Sequence, residues 1–231
     1  FTRPLVAFIC SISITNVVGA FIDQVLGRVG IVNKLHVALA GAGFEFTIVL
    51  GGIILGGYVD RTKEYKRVTL VCLALSGFLL IPLGWTNHAF GATPPLLVVI
   101  ALLGLGFVTG PIQPINAELA VDITYPGDET AVESVQQIGG NLISALLVPL
   151  AERAARHEYE LLPSIPILAN DVRGDVVLLV FLTLLTFLYF RGFSAPLRRS
   201  MADRRDGEMR EDGVELADVN NTEEIGRLLV V

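Results

Sequence analysis

The chain has 231 residues, 52% of them hydrophobic, a mean hydropathy of +0.63 and a formal net charge of −6. This composition is too apolar for an ordinary soluble domain, and it lacks the basic surface that nucleic-acid binding requires. The charge is uneven, because Met201–Val231 contains nine acidic and four basic residues. We therefore predict a transmembrane domain over residues 1–193 and an acidic, disordered cytoplasmic tail over residues 194–231.

Six apolar runs have about the 17–25 residues that a helix needs to cross a bilayer. They lack the two-residue alternation of β-barrel strands, the other structure that satisfies its backbone polar groups in lipid. The sequence therefore predicts an all-α polytopic membrane protein. The predicted helices are Pro4–Leu26, Val37–Val59, Val68–Trp85, Leu96–Val121, Ala131–Leu150 and Val176–Phe193.

The second predicted helix carries Glu45, roughly 12–15 Å of helix rise from either end at about 1.5 Å per residue. A carboxylate at this depth costs at least about 2.5–3.5 kcal/mol and usually faces a cavity or a partner. Glu45 is therefore a candidate proton carrier or acceptor for a cationic solute. The alternative is a neutral glutamic acid that hydrogen-bonds between helices for structural reasons.

The connection after the second helix has a Gly-x-x-x-Asp-Arg pattern formed by Gly56, Asp60 and Arg61, followed by Lys66 and Arg67. With Lys63, Arg3 and the arginines after the sixth span, this side of the predicted membrane domain has eight basic residues. Because basic residues in short loops face the cytoplasm, we expect the connection and both chain ends to be cytoplasmic. The alternative is that these basic residues only orient the protein in the membrane and have no gating role.

The fourth and fifth predicted helices contain the remaining candidate residues. Pro111 and Pro114 should kink the fourth helix, and Glu118 and Asp122 follow one turn apart on one face. On the fifth helix a polar stripe has spacings of three, four and three residues, which indicates one helix face. It lines a solute cavity or supplies hydrogen bonds between helices. The stripe comprises Ser134, Gln137, Asn141 and Ser144.

The pattern of Gly56, Asp60 and Arg61 resembles the cytoplasmic loop motif of the major facilitator superfamily, found between the second and third helices of each six-helix half. Residues 60–66 and the segment 118–126, which ends in Thr-Tyr-Pro, are similar to solute carrier family 49. This family comprises the feline leukaemia virus subgroup C receptor-related transporters. The resemblance identifies the six spans as helices seven to twelve, with an amino-terminal six-helix half expected as partner.

The resemblance also implies roles for individual residues. Asp60 would cap a helix of the other half, and Arg61 and Arg67 would pair with Glu118 or Asp122, contacts that break when the transporter opens. Gly56 belongs to the same motif.

A second group of implied roles concerns the solute. Asn141 matches a position where family members have a Gln or Asn, and the Gln there contacts solute. Choline, ethanolamine, haem and pyridoxine are assigned to one family member or another. Members that move choline carry an aromatic residue where this chain has Ile22, so one cation–π wall is missing here.

The leading interpretation is a secondary transporter half that moves a small organic solute by alternating access, in the plasma membrane or an endolysosomal membrane. The alternative is a truncated, non-transporting membrane module that scaffolds or regulates a partner. No motif indicates an enzyme, a cofactor or a metal, and Cys10 and Cys72 lack metal-ligand spacing. The expected partners are the solute, the bilayer and the amino-terminal half, with no nucleic acid.

The first prediction concerns topology. Single cysteines introduced at Lys63 and Asn87, in a variant lacking Cys10 and Cys72, should react with an impermeant thiol reagent from opposite sides of a sealed membrane. Lys63 should be cytoplasmic because of the basic cluster around it. Reaction of both positions from the same side would contradict the six-span topology.

Overall fold

A computed structural model describes residues 1–85, 95–161 and 170–202 of the chain. Within these ranges it consists of seven α-helices, a short 3-10 turn at Ile81–Gly84 and a two-stranded hairpin. Most of the predicted tail, residues 203–231, lies outside the described residues. The helices are α1 (Thr2–Arg28), α2 (Lys34–Thr62), α3 (Tyr65–Leu80), α4 (Pro95–Thr109), α5 (Ile112–Thr124), α6 (Glu129–Ala154) and α7 (Gly174–Arg191).

Six helical segments are long and apolar enough to cross a membrane, which confirms the predicted all-α polytopic architecture. One of them, Pro95–Thr124, is interrupted between α4 and α5 at Pro111, as expected from a residue that cannot donate a helical hydrogen bond. The Thr109 carbonyl at this break accepts a hydrogen bond of 2.8 Å from the buried Ser11 hydroxyl of α1. Pro114 falls in the first turn of α5, where a missing N–H is tolerated.

Two helices begin at a side-chain cap, and one ends at a residue with a left-handed backbone. Asn33 caps α2 by accepting a hydrogen bond of 2.9 Å from the Leu35 amide. Asp128 caps α6, accepting from the Thr130 amide at 2.9 Å. Lys63 ends α2 with a left-handed backbone at φ 56°. These caps satisfy amide groups that the helices leave unpaired.

The hairpin between α6 and α7 was not predicted from the sequence. Strand β1 (Glu158–Leu161) pairs antiparallel with β2 (Asn170–Arg173), and Glu158 lies opposite Arg173. Their side chains form an ion pair of 2.9 Å. Val172 also forms a bridge with Trp85 beyond the 3-10 turn, which ties the hairpin to the end of the α3 segment. Strands of four residues are too short to give a recognisable alternation.

Helix α1 lies at the centre of the bundle and packs against α2, α4, α5, α6 and α7. In its most apolar stretch 56% of the residues are buried, against 11% for α2 and 22% for α6. Helices α2 and α6 therefore leave most of their surface uncovered by the rest of the chain. α1 packs against both of them, α2 on one side and α6 on another.

Helices α2 and α4 approach each other closely enough for their backbones to meet. A Cβ atom added to Gly51 would collide with the Phe107 carbonyl, and one added to Gly110 would collide with the Ile48 carbonyl. Small residues at such contacts let helices pack tightly where the hydrophobic effect provides no driving force. A side chain at Gly52, by contrast, would meet no atom within 4 Å.

This close approach generates the second prediction. Gly51→Ala should lower the free energy of unfolding by roughly 1–3 kcal/mol, the usual cost of overpacking, because the new methyl group forces α2 and α4 apart. Gly52→Ala is the matched control and should change stability little. Thermal unfolding in detergent micelles measures both, and equal effects of the two variants would contradict the backbone contact.

Candidate functional site

Three residues of the predicted gate lie around one cavity. A space of about 360 Å³ between the end of α2 and α5 is lined by Gly56, Asp60 and Glu118, with Tyr65 and Pro114 also contributing. Gly56 leaves this space open, since a Cβ added there would meet no atom within 4 Å. The structure thus places the loop motif and the α5 carboxylate at the same end of the bundle.

Lys63 contacts Tyr65, one of the residues that line this cavity. Its ammonium donates a hydrogen bond of 3.3 Å to the hydroxyl of Tyr65, whose side chain is buried at the start of α3. Burial alone would lower the pKa of Lys63, but the Tyr65 hydrogen bond and the negative charges of Glu118 and Asp60 outweigh it and raise the pKa above its ordinary value. The loop cation is therefore electrostatically coupled to both carboxylates.

The two predicted gating arginines do not reach the α5 carboxylates. Arg67 forms a long, exposed ion pair of 3.6 Å with Glu64, three residues earlier. Arg61 is exposed and makes no ion pair or hydrogen bond within the described part of the chain. The expected pairing of Arg61 or Arg67 with Glu118 or Asp122 is therefore not present in this structure.

Asp122 instead binds the segment that follows α7, Phe193–Ala202, here called the strap. Its Oδ1 accepts hydrogen bonds from the backbone amides of Arg199 and Ser200 at 3.0 and 3.2 Å, and its Oδ2 accepts one of 2.6 Å from the Ser200 hydroxyl. Arg199 also pairs with Glu129 at 2.8 Å, in the first turn of α6. The buried Asp122 carboxylate therefore links the end of α5 to the strap across 77 residues of sequence.

The predicted polar stripe of α6 is divided by the structure. Ser134, Gln137 and Asn141 are exposed, whereas Ser144 is buried. The Ser144 hydroxyl accepts a hydrogen bond of 3.0 Å from the Asn16 amide of α1 and donates one to the Gly140 carbonyl. Ser144 therefore connects two helices, while the other three side chains lie on the open face of α6.

Glu45 is exposed on the face of α2 that the bundle leaves uncovered, next to the fully buried Phe44. It makes no ion pair or hydrogen bond to the described residues. The structural alternative, a hydrogen bond between neighbouring helices of this chain, is therefore not observed. Helix α2 packs mainly on α4 and α6 mainly on α1, so Glu45 and the Asn141 face belong to helices that do not pack on each other.

A buried polar cluster that was not predicted from the sequence joins α3, α5 and α6. The Asn116 amide donates to the Thr69 hydroxyl at 3.1 Å and to the Ile112 carbonyl at 2.8 Å, and the Gln136 amide donates to the Asn116 carbonyl at 3.1 Å. All three polar residues are fully buried. Asn116 is a polar residue within a predicted span, a signal that could have identified it.

A buried ion pair at the other end of the bundle was also missed. Arg28, at the end of α1, pairs with Asp175 in the first turn of α7 at 2.6 Å and donates a second hydrogen bond to the Leu83 carbonyl. Both side chains are less than a tenth exposed. The interaction fastens α1, α7 and the 3-10 turn together opposite the loop motif.

The fold and these sites define the class of the protein: an all-α integral membrane protein with polar side chains on an open helix face and charged residues around a cavity at one end. Curated relatives show which transporters the chain is similar to. The chain is 31% identical over 153 residues to solute carrier family 49 member A3 of Xenopus tropicalis, and 27% identical over 180 residues to the human choline/ethanolamine transporter FLVCR2. The mouse choline/ethanolamine transporter FLVCR1 is 32% identical over 105 residues.

These similarities confirm the resemblance to solute carrier family 49, and the chain is a homologue of its transporters. The three alignments cover 66%, 77% and 45% of this chain, but only 31%, 29% and 16% of the respective relatives. The chain therefore spans about a third of the length of the first two relatives. Their names describe transporters, in agreement with the expectation that the chain is not an enzyme. No family model matches the chain.

Proposed function

We propose that the chain is one half of a secondary transporter, which moves a small organic solute by alternating access together with an amino-terminal six-helix half. The observation that carries this proposal is the exposure of Glu45, Gln137 and Asn141 inside the spans of the two least buried helices. A carboxylate that faced lipid near the helix centre would cost about 2.5–3.5 kcal/mol or more. These side chains therefore require a water-filled cavity or a second half to cover them.

The proposed solute site is the open face of α6. Gln137 and Asn141 lie about 10 Å and 16 Å along the helix from Thr130, at about 1.5 Å per residue, a depth at which transporters place solutes between their halves. Their amides both donate and accept hydrogen bonds, so they can bind a hydroxyl, an amine or a carboxylate. Ser134 extends this face, and Glu45 of α2 supplies an acceptor for a cationic group or a proton.

The proposed gate is the cavity between α2 and α5. Asp60 lies in the last turn of α2, where the helix dipole repels a carboxylate, so its stabilising partner has to come from elsewhere. A helix amino terminus of the other half would supply one. Arg61 projects without a partner among the described residues and is available for the same interface, while Glu118 faces Asp60 across the cavity.

Asp122 has a different proposed role. Because the strap already uses both of its oxygens, Asp122 positions the strap and Glu118 becomes the α5 carboxylate of the gate. Arg67 is only loosely held by Glu64 and can exchange this partner when the cavity closes.

The proposed orientation places both chain ends in the cytoplasm, with the protein in the plasma membrane or an endolysosomal membrane, because the loop side has the larger number of basic residues. Of the four arginines on the opposite side of the bundle, three form ion pairs with carboxylates. The pairs are Arg28 with Asp175, Arg156 with Glu152 and Arg173 with Glu158.

The third prediction tests the solute site. Asn141→Ala should weaken solute binding by roughly 0.5–1.5 kcal/mol, the net value of one neutral hydrogen bond. Leu142→Ala, a neighbour that is also exposed but apolar, should leave affinity nearly unchanged. The measurement is binding of radiolabelled ethanolamine and choline to the chain combined with an amino-terminal half. Loss of stability with unchanged affinity would show that Asn141 holds helices together instead.

The fourth prediction tests the gate. Asp60→Asn should change turnover and the balance between inward-facing and outward-facing states, because it weakens the contact with the other half, while affinity within one state stays the same. Accessibility of single cysteines on either side of the membrane, measured alongside uptake, separates the two effects. A variant that cycles normally but binds solute less well would contradict a gating role for Asp60.

A further inference from the structure

We propose that a second cavity, between α1, α5 and α6, is a binding site for a small monovalent cation, either an alkali-metal ion or the ammonium group of an amine. The cavity has a volume of about 330 Å³. Its polar lining consists of the Glu133 carboxylate and the amides of Gln113, Gln136 and Gln137, and the rest is apolar. None of the seven lining residues is Lys, Arg or His, so the lining has one formal negative charge.

The side-chain amide of Gln136 has a defined orientation. Its amide nitrogen donates to the Asn116 carbonyl at 3.1 Å. Exchanging the nitrogen and the oxygen would place two carbonyl oxygens against each other, so this hydrogen bond fixes the amide orientation. The Oε1 atom is consequently a buried acceptor without a donor among the described residues. A buried acceptor left in this way is costly unless something bound nearby satisfies it.

Glu133 lies one turn before Gln136 and Gln137, so the three side chains share a helix face. Glu133 makes no ion pair or hydrogen bond with the described residues. A cation can bind the Gln136 oxygen and the Glu133 carboxylate together, since carboxylate and amide oxygens are suitable ligands for hard cations and acceptors for N–H groups.

The chemistry of the lining limits the kind of cation. A single carboxylate balances one positive charge, which favours a monovalent ion over a divalent one. Phe8 is the only aromatic residue among the seven, so the cavity lacks the aromatic walls that recognise a quaternary ammonium. An alkali-metal ion or a protonated amine can use the oxygen ligands directly, and a quaternary ammonium, which has no N–H, cannot donate to them.

The biological role of this site rests on the proposed transport function. In that function the bound cation would be a coupling ion or the amine group of the solute. Binding itself can be measured on the purified full chain without any transport. Failure of the transport assays would thus leave the cation measurement unaffected, and the reverse also holds.

The fifth prediction is that sodium, potassium or methylammonium ions raise the unfolding temperature saturably, compared with tetraethylammonium at the same ionic strength. Cys10 and Cys72 are both buried, so a thiol-reactive fluorescent dye reports unfolding directly. A shift with alkali ions alone identifies an inorganic ion, and a shift with methylammonium alone identifies an amine group. The absence of any shift in the wild-type chain would overturn the proposal.

Glu133→Gln is the decisive variant, because this exposed side chain can change without disturbing the packed core. It should raise the apparent dissociation constant of the cation by about tenfold or more, through loss of a charged ligand. Glu152→Gln is the matched control, an exposed glutamate on the same helix that pairs with Arg156 at 3.8 Å. An unchanged cation response in Glu133→Gln would also overturn the proposal.

Discussion

The rule that hydrocarbon supplies no hydrogen bonds governs the whole structure. Inside the bundle most polar groups have hydrogen-bond partners within the chain. Ser11 donates to the Thr109 carbonyl at the break before α5, and Ser144 connects α1 and α6. The exceptions are informative for the same reason. The exposed Glu45 and Asn141 and the buried Gln136 oxygen lack partners among the described residues, and the two proposals give each of them a ligand because lipid cannot satisfy them. Single side-chain oxygens of Ser13, Asn116 and Asp175 are also buried without a donor and have no proposed role.

The two ends of the bundle are held by different kinds of contact. Opposite the loop motif, the buried pair of Arg28 and Asp175 and the hairpin fasten α1, α3 and α7 together. Removing one partner of such a pair leaves a buried charge uncompensated and is strongly destabilising. At the loop end the buried Asp122 carboxylate holds the strap to α5, but the basic residues of the loop motif make only exposed contacts, such as the pair of Arg67 and Glu64, and exposed pairs contribute little. The contacts of the loop motif can therefore break at low cost.

Much of this architecture was predictable because long apolar runs and a charged loop are local signals. The break before α5 followed from Pro111 alone, and the family relationship from the loop motif and the Tyr-Pro segment. Other features depend on contacts between distant residues. Nothing local shows that Asp122 binds Ser200, 78 residues later, or that Gln136 rather than Gln137 is the buried member of an adjacent pair. Periodicity identifies a polar face but not the neighbour that the face meets.

The pair of Arg28 and Asp175 has a consequence for biogenesis. Its two residues are separated by 147 positions, so Arg28 is synthesised well before Asp175. During translation Arg28 therefore has no counter-ion until α7 is made, and the end of α1 cannot be buried without cost before then. Truncation before Asp175 would consequently trap the chain in an incompletely assembled state that quality control can recognise.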